Sequence, residues 1–374
     1  MRVAILSTHL RGGGKETFII HLANALAAMG HLPYVVCFDS AGRSASALRS
    51  GVRLIEMGRS GNDPRVVTGL ARLLRRERID VVHSNNWGTL IEAVVAARLA
   101  GRPVVHTQHG LGSEGGSERQ AHAAGLRGVA LRAATRRVHA VVGVSPEVGD
   151  MVQREWGLPP GRVRVITNGV PIEASPTESR LAQRQALGIA ADDVAVVSVA
   201  YLRPVKNFPV LVRAFGELAH VPRLRLFIIG VGPSEEDIRA EAARCGVADR
   251  VTFLGRRTDV PHLLPAFDVF ALASASEGIS ISILEAMAAG LPVVATRVGG
   301  NPLLVQEGVT GLLVEAGSAS SMAVALDRLA RTPDERRSMG EAAANRAAGQ
   351  FSIERMASDY LEMFEAARAG SPRS

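Results

Sequence analysis

The chain has 374 residues, a formal net charge of +7, and 47% hydrophobic and 21% charged side chains. The length predicts two domains of about 150–200 residues each, and the composition excludes global disorder. No apolar run approaches the roughly 20 residues that a membrane-spanning helix needs. The two cysteines, Cys37 and Cys245, have neither the number nor the spacing of a disulfide framework or a zinc site, which favours a reducing, cytoplasmic compartment.

The predicted elements alternate between short apolar strands and longer helices throughout the chain. In the first half we predict strands at 2–8, 33–39, 53–57, 80–84, 103–108, 140–145 and 163–167. The helices between them are predicted at 15–29, 63–77, 88–100, 120–137 and 146–156. In the second half we predict strands at 194–200, 224–230, 251–255, 269–273, 292–296 and 310–314.

This alternation is typical of parallel sheets that are covered by helices on both faces. Two such series predict two Rossmann-like, doubly wound domains at 1–172 and 173–350, followed by a helical segment at 351–374. Ligands of such sheets bind beyond the carboxyl ends of the strands. We therefore expect the site in a cleft between the two domains and examine the residues that follow each strand.

The basic residues are concentrated in the first half. The first 175 residues contain 22 Lys and Arg against 13 Asp and Glu, whereas the remainder contains 21 against 23. This asymmetry predicts an anionic partner for the first domain, such as a phosphate, a membrane surface or a nucleic acid. The arginines of the predicted helix 120–137 could contact anionic lipid, although the pattern favours an ordinary surface helix. The alternative for both features is an ordinary solvated surface.

Two strand exits in the first domain offer candidate ligand contacts. The turn Gly12-Gly13-Gly14 follows the first strand and precedes a helix, so backbone amides there can approach an anion closely, although a flexible turn is the alternative. His109 follows a buried strand, where its imidazole could donate a hydrogen bond to a ligand hydroxyl or a leaving oxygen. His106 is expected to point into the packing. The polar segment 83–87 is a weaker candidate for an acceptor pocket.

In the second domain, Arg203 and Lys206 follow the first strand, and two fixed cations at that point suit a diphosphate. Lys206 is one of only two lysines in the chain. The strand 269–273 is followed by Glu277 in a loop and Glu285 on a predicted helix at 279–290.

Gly278 and the backbone amides of Ile279, Ser280 and Ile281 are expected to form an anion site at the start of that helix. Glu277 and Glu285 can accept hydrogen bonds from ligand hydroxyls, although glutamates also commonly decorate helices. Because Glu285 lies in an apolar run, an unpaired carboxylate would be costly there and we expect it to have a partner.

In these residues the sequence resembles the family-four glycosyltransferases, which are retaining enzymes of the GT-B fold. The most specific signature is the spacing of Glu277 and Glu285 within SEGISISILEAMAAGLPVVATRVGGNP. Supporting motifs lie at 13–16, 167–170, 204–207 and 253–255.

The resemblance implies a role for each matching residue. Glu285 would hold the ribose of a nucleotide sugar, whereas Glu277 and the amides after Gly278 would hold the transferred sugar. Lys206, together with an arginine, would neutralise the diphosphate. Gly255 and Arg256 would lie near the base. Gly14 would approach the donor phosphate, and His109 would contact the transferred sugar near its reacting carbon. The helix at 352–368 would cross back to the first domain.

One position departs from the family pattern. Tyr201 occupies the place where the family usually has an arginine, and we expect Arg203 to take over its task. The leaving diphosphate develops negative charge, which Lys206, Arg203 and the dipole of helix 279–290 could stabilise. No carboxylate pair with the spacing of metal ligands occurs at the expected phosphate site. We therefore predict transfer without a metal or other cofactor, with retention by front-face displacement.

The predicted protein is a glycosyltransferase of polysaccharide or glycolipid biosynthesis, cytoplasmic and peripheral on the inner face of the membrane. UDP-sugars are the first expectation for the donor and GDP-mannose is the second, while the acceptor is a glycan or a lipid phosphate. One alternative is a nucleotide-sugar epimerase of similar architecture. The other is a non-catalytic nucleotide or nucleic-acid binder, which the 4% aromatic content and the absence of a nucleic-acid motif disfavour.

Overall fold

The computed structural model describes residues 1–59, 63–110, 125–159, 161–172 and 180–370. It divides the chain into two compact units, of which the first contains Met1–Gly169 and Ile353–Ser374 and the second contains Val170–Ser352. Residues 120–124 of the predicted helix 120–137 lie outside the described ranges, as do residues 173–179 at the predicted domain boundary.

The described part of the first unit is built on a seven-stranded parallel sheet with the order β3-β2-β1-β4-β5-β6-β7. Its strands are β1 (Arg2–Ser7), β2 (Leu32–Cys37), β3 (Arg53–Glu56), β4 (Val81–Asn85), β5 (Val104–Gln108), β6 (Ala140–Gly143) and β7 (Val163–Val165). Its helices up to residue 159 are α1 (Gly14–Ala28), α2 (Pro64–Arg76), α3 (Trp87–Ala100), α4 (Gly125–Thr135) and α5 (Pro146–Trp156). Every residue of β4 and β5 is buried, as expected for central strands covered on both faces.

The described part of the second unit has a six-stranded parallel sheet with the order β10-β9-β8-β11-β12-β13. Its strands are β8 (Val194–Val199), β9 (Leu224–Ile229), β10 (Val251–Gly255), β11 (Val269–Leu272), β12 (Val293–Thr296) and β13 (Gly311–Val314). Its helices are α6 (Arg180–Ala186), α7 (Phe208–Glu217), α8 (Glu235–Arg244), α9 (Val260–Leu263), α10 (Ile281–Ala288), α11 (Asn301–Leu304), α12 (Ala319–Arg331) and α13 (Pro333–Gln350).

The last helix, α14 (Ile353–Ala369), belongs to the first unit and packs against α1, β4 and β5. Its Tyr360 is fully buried, and the Tyr360 hydroxyl lies 3.0 Å from the Thr107 hydroxyl on β5. The Tyr360 ring also contacts the rings of Phe18 and His83. The C-terminal segment is therefore part of the core of the first unit.

The prediction of two doubly wound parallel-sheet domains is confirmed, and each predicted strand has its counterpart in the described residues. The predicted helix 279–290 is too long, because α10 begins at Ile281 and ends at Ala288. Ser280 has an extended backbone, and its hydroxyl accepts a hydrogen bond from the Ile283 amide. A serine that caps in this way ends the preceding loop and starts the helix.

Both sheets reverse their strand order at one point, between β1 and β4 in the first unit and between β8 and β11 in the second. Loops from the two strands at such a point diverge and leave a crevice at the carboxyl edge of the sheet. In the second unit, this is where the segment Arg203–Lys206 after β8 and Glu277 after β11 emerge. In the first unit, it is where the glycine-rich turn after β1 and Asn86 after β4 emerge.

Helix α13 packs closely against α10 and the residues that follow it. A Cβ atom built at Gly340 in α13 would overlap the carbonyl oxygen of Gly290, just after α10. At Gly349 in the same helix, by contrast, no described atom outside the neighbouring helix backbone lies within 4 Å of such a Cβ atom. We expect Gly340→Ala to destabilise the protein by about 1–3 kcal/mol through overpacking. Gly349→Ala is the control and should be neutral or stabilise by up to about 1 kcal/mol. Urea unfolding of both variants measures this, and equal effects would contradict the packing.

Candidate active site

The centre of the site in the second unit is an ion pair between Lys206 and Glu277. The Lys206 Nζ lies 2.6 Å from Oε1 of Glu277, whose side chain is only 7% exposed. The Ser274 hydroxyl donates to the same oxygen at 2.7 Å. The other carboxylate oxygen, Oε2, accepts no hydrogen bond from any residue in the described ranges. The pair therefore fixes one oxygen of Glu277 and leaves the other available to a ligand.

Two glycines hold the Glu277 loop in place. A Cβ atom at Gly299 would overlap the Glu277 carbonyl oxygen, and one at Gly300 would overlap the carbonyl oxygen of Gly278. The Gly300 amide donates to that same Gly278 oxygen at 3.0 Å. Nearby, the Thr296 hydroxyl donates to the Ser274 carbonyl at 2.6 Å. The segment after β12 therefore fixes the loop after β11, and only glycine allows the two backbones to approach so closely.

The loop after β8 is packed in the same manner. Cβ atoms at Gly230 and Gly232 would overlap the carbonyl oxygens of Ala200 and Leu202. The Leu202 amide donates to the Val231 carbonyl at 3.0 Å. This packing brings the loop that contains Arg203 and Lys206 beside the end of β9.

Arg203 lies over the ring of Tyr201, with 4.8 Å between the guanidinium carbon and the ring centroid. This cation–π contact restricts the arginine to one side of the loop. The exposed fraction of Tyr201 is 39%, so the ring forms part of the surface. Tyr201 thus orients the cation that we expect to replace the family arginine.

Glu285 lies on α10, four residues after the helix begins at Ile281. Its carboxylate makes no hydrogen bond or ion pair within the part of the chain that the structure describes, so the expected partner is not a described protein group. Burial disfavours the charged form and raises the pKa of Glu285 to about 7. An uncompensated acid at the carboxyl edge of a sheet is typical of a binding site.

The remaining predicted donor residues lie along the same edge of the second sheet. Gly255 ends β10 with a positive φ of 64°, and its carbonyl accepts a hydrogen bond from the Gly230 amide at 2.7 Å. Arg256 follows it and is exposed. Gly278, Ile279 and Ser280 form the turn that leads into α10 at Ile281, and the first amides of a helix have no partner within the helix.

In the first unit, Gly14 begins α1 directly after Gly13, which has a φ of 140°. No described atom lies within 4 Å of a Cβ atom built at Gly14, so the packing of the protein does not itself require glycine there. Glu16 folds back over Gly13, and its Oε1 lies 3.1 Å from the Nζ of Lys15. The turn therefore presents an open backbone at a helix start.

His109 is held by two asparagines at the exit of β4. Its Nε2 lies 2.9 Å from Oδ1 of Asn85, and its backbone amide donates to Oδ1 of Asn86 at 2.9 Å. The other ring nitrogen, Nδ1, is buried and has no hydrogen-bond partner in the described chain. Burial, reinforced by the nearby His83 and Lys15, holds the pKa of His109 well below its usual range, so the ring is neutral.

Other predicted features of the first unit lie in its interior. His106 is fully buried, as expected, and its Nδ1 lies 3.0 Å from the Ser84 hydroxyl. The weaker prediction of an acceptor pocket at 83–87 fails for His83, which is fully buried and lies 2.8 Å from the Thr107 hydroxyl. Apolar neighbours on both faces of the central strands enclose both side chains.

Sequence reasoning missed the residues that support these groups. Ser274 and Gly299–Gly300 hold Glu277, and Asn85 holds the ring of His109. The glycine pair was a detectable signal, because two glycines follow a buried strand. Ser274 had none, since a serine before a loop is too common to be noticed.

Two Rossmann-like domains with this edge chemistry define the GT-B class of proteins. Comparisons with known proteins identify the family within this class. The model of "Glycosyltransferase Family 4" matches residues 12–174, and that of "Glycosyl transferases group 1" matches residues 179–346. The chain is 30% identical to a D-inositol 3-phosphate glycosyltransferase of Actinosynnema mirum, over 98% of this chain and 97% of the relative.

Two further proteins are similar. A UDP-Gal:alpha-D-GlcNAc-diphosphoundecaprenol alpha-1,3-galactosyltransferase of Escherichia coli is 31% identical over 71% of this chain and 70% of its own length. The crystal structure of Anabaena HepE in complex with UDP-glucose is 25% identical and has a TM-score of 0.83, covering 98% of this chain and 100% of that chain. The protein belongs to the family-four glycosyltransferases, as its motifs predicted, and this membership favours sugar transfer over the two alternatives.

The raised pKa of Glu285 predicts how the stability of the folded protein depends on pH. The unfolded side chain ionises near pH 4.5, whereas the folded one keeps its proton up to about pH 7. The folded state therefore holds more protons in this window, and its stability falls as the pH rises from about 4.5 to 7. We expect Glu285→Gln to raise the melting temperature by a few degrees at pH 8 and by little at pH 4.5, because the amide carries no charge.

The measurement is thermal unfolding of both proteins at several pH values. Glu354→Gln is the matched control, because that glutamate is exposed and lies in the first turn of α14. A stability gain for Glu285→Gln that is equal at every pH would contradict the burial argument.

Proposed function

We propose that this protein transfers a hexose from a UDP-sugar to a glycan or lipid-linked acceptor in polysaccharide or glycolipid biosynthesis, without a metal and with retention. The observation that supports this best is the edge of the second sheet. There the Lys206–Glu277 pair joins the loops after β8 and β11, and α10 after the same β11 carries Glu285, which has no partner among the described residues. Glu285 would accept hydrogen bonds from the ribose hydroxyls. Oε2 of Glu277 and the amides of 279–281 would hold the transferred sugar.

The choice of a UDP-sugar over GDP-mannose is supported by the similar proteins. Anabaena HepE is described in complexes with UDP, with UDP and glucose, and with UDP-glucose. The Escherichia coli relative is named for UDP-Gal. In our proposal, Gly255 and Arg256 lie near the base, Gly14 approaches the donor phosphate, and His109 contacts the transferred sugar.

The chemistry of the proposed transfer requires stabilisation of a leaving diphosphate. Lys206 and Arg203 would supply two positive charges, and the first amides of α10 would add the positive end of a helix dipole. The glycosidic bond to the diphosphate breaks as the bond to the acceptor oxygen forms on the same face. The acceptor proton passes to the departing phosphate oxygen. These groups would supply the positive charge that a divalent ion provides in other enzymes.

An acceptor that contains phosphate fits both the charge distribution and the relatives. The first 175 residues hold the basic excess of the chain. The names of the Actinosynnema mirum and Escherichia coli relatives specify inositol 3-phosphate and a diphosphoundecaprenol compound. These names support an anionic acceptor and leave its identity to experiment.

Donor use is tested by release of UDP from a panel of UDP- and GDP-sugars, with and without phosphate-bearing acceptors. We expect turnover with a UDP-sugar that EDTA does not reduce, and a product whose anomeric configuration is that of the donor. Lys206→Gln should lower kcat/KM by a factor of about 100 or more, because it removes the positive charge that would stabilise the departing diphosphate. Arg337→Gln, on the exposed surface of α13, is the control.

Three results would contradict the proposal. These are transfer only from GDP-sugars, an inverted product, or full loss of activity in EDTA that Mg²⁺ restores. Conversion of the nucleotide sugar without an acceptor would instead favour the epimerase.

We further propose that the first domain attaches peripherally to anionic membrane on the cytoplasmic side. No helix within the described ranges combines the length and apolarity that a bilayer span requires. Arg132 and Arg136 are exposed on and just after α4, and Val129 on α4 is 57% exposed. Val95 and Leu99 are exposed on the adjacent α3. Exposed apolar side chains beside arginines suit an anionic lipid surface.

Co-sedimentation tests this attachment. We expect binding to vesicles that contain phosphatidylglycerol, little binding to phosphatidylcholine alone, and release as NaCl screens the charges. The double variant Arg132→Glu/Arg136→Glu should lose binding, and Arg337→Glu in the second unit should retain it. Equal binding to both vesicle types would contradict an electrostatic attachment.

A further inference from the structure

Asn85, the last residue of β4, and Asn86, which precedes α3, both form hydrogen bonds with His109. The Asn85 amide nitrogen Nδ2 donates to the Leu6 carbonyl on β1 at 3.2 Å. A carbonyl oxygen can only accept, so this contact fixes which end of the Asn85 amide faces β1. Its oxygen Oδ1 must therefore face the ring of His109, 2.9 Å from Nε2.

This orientation determines the tautomer of His109. An amide oxygen cannot donate, so the short contact requires a proton on Nε2. Because the pKa of His109 is lowered, the neutral ring has no second proton, and Nδ1 has a lone pair. The ring is therefore a hydrogen-bond acceptor at Nδ1, which differs from the donor that the sequence suggested.

The second asparagine fixes the backbone at the same point. Asn86 combines a positive φ of 55° with a ψ of 174°, a backbone conformation that residues other than glycine rarely adopt. Its side-chain oxygen accepts a hydrogen bond from the His109 amide at 2.9 Å. A T-shaped contact with Phe18 of α1, 4.6 Å between ring centroids, supports the imidazole from another side. The ring and the backbone of His109 are thus fixed independently.

We propose that Asn85 and Asn86 are positioning residues for sugar transfer, which fix His109 as a neutral acceptor protonated at Nε2 and hold its backbone at the exit of β5. This inference rests on the proposed function, in which His109 contacts the transferred sugar. A sugar hydroxyl would then donate to Nδ1, the buried ring nitrogen that has no partner among the described residues. An interaction that depends on one tautomer is lost when the ring can rotate or exchange its proton.

The test combines nitrogen NMR of the histidine-labelled protein with transfer kinetics. In the wild-type protein at neutral pH, we expect a long-range proton–nitrogen spectrum of His109, assigned with His109→Gln, to show the tautomer protonated at Nε2. Asn85→Ala should produce a mixture of tautomers and lower kcat about tenfold to a hundredfold. The affinity for UDP should not change, because neither Asn85 nor His109 is among the proposed contacts of the nucleotide.

Two variants separate positioning from general stability. Ser84 lies on β4 next to Asn85, and Ser84→Ala removes buried hydrogen bonds to His106 on β5 and to Thr89 on α3 without touching His109. It should preserve both the tautomer and kcat. Asn86→Gly permits the positive φ of this position and removes the side-chain hydrogen bond to the His109 amide. We expect it to lower kcat while the tautomer is preserved, and it keeps the test available if Asn85→Ala folds poorly.

The groups around His109 that could also affect its protonation are Lys15 on α1, His83 on β4 and His106 on β5. The spectrum is therefore recorded from pH 6 to 8, where we expect no change, since burial keeps all three histidines neutral. A wild-type ring that is protonated at Nδ1 or doubly protonated would overturn the proposal. So would kinetics and spectra of Asn85→Ala that match those of Ser84→Ala. A wild-type protein with the expected tautomer that transfers no sugar would overturn the proposed function alone.

Discussion

The second unit depends on a carboxylate that is removed from water and held by one ammonium group. Glu277 is 7% exposed, and its charge is tolerable because Lys206 and Ser274 meet the same oxygen. Their loops follow β8 and β11, the neighbouring strands at which the sheet reverses its order. The ion pair therefore holds together the two loops that frame the crevice. Loss of Lys206 would leave the buried charge of Glu277 without its counterion and remove this contact between the two loops.

Close packing of the backbone explains why glycines occupy the positions around this ion pair. Gly230, Gly232, Gly299 and Gly300 each lie where a side chain would overlap a neighbouring carbonyl oxygen. Gly14 differs, because no described atom of the protein occupies the space that its side chain would fill. Glycines of the first kind hold the polar loops at their required distance, whereas a glycine of the second kind leaves the backbone accessible to a ligand.

The fold was predictable because buried parallel strands are continuous apolar runs. Short apolar runs such as 194–200 and 224–230, separated by helical patterns, are typical of such strands. The residue types of the site were predictable from their positions after strands, as for Lys206 and Glu277. Hydrogen-bond direction was not predictable, because the orientation of Asn85 is set by Leu6, 79 residues earlier in the chain. The start of α10 was misplaced for a similar reason, since the apolar pattern does not show which serine caps the helix.

The central claim is that Glu285 meets a nucleotide sugar as a carboxylate. Burial raises its pKa to about 7 without ligand, so part of the Glu285 population is protonated at pH 7. Titration calorimetry with UDP-glucose in buffers of different ionisation enthalpy measures the protons released on binding. The account predicts proton release on binding at pH 7, which disappears in Glu285→Gln. Tight binding with no proton release, or with equal release in both proteins, would contradict it.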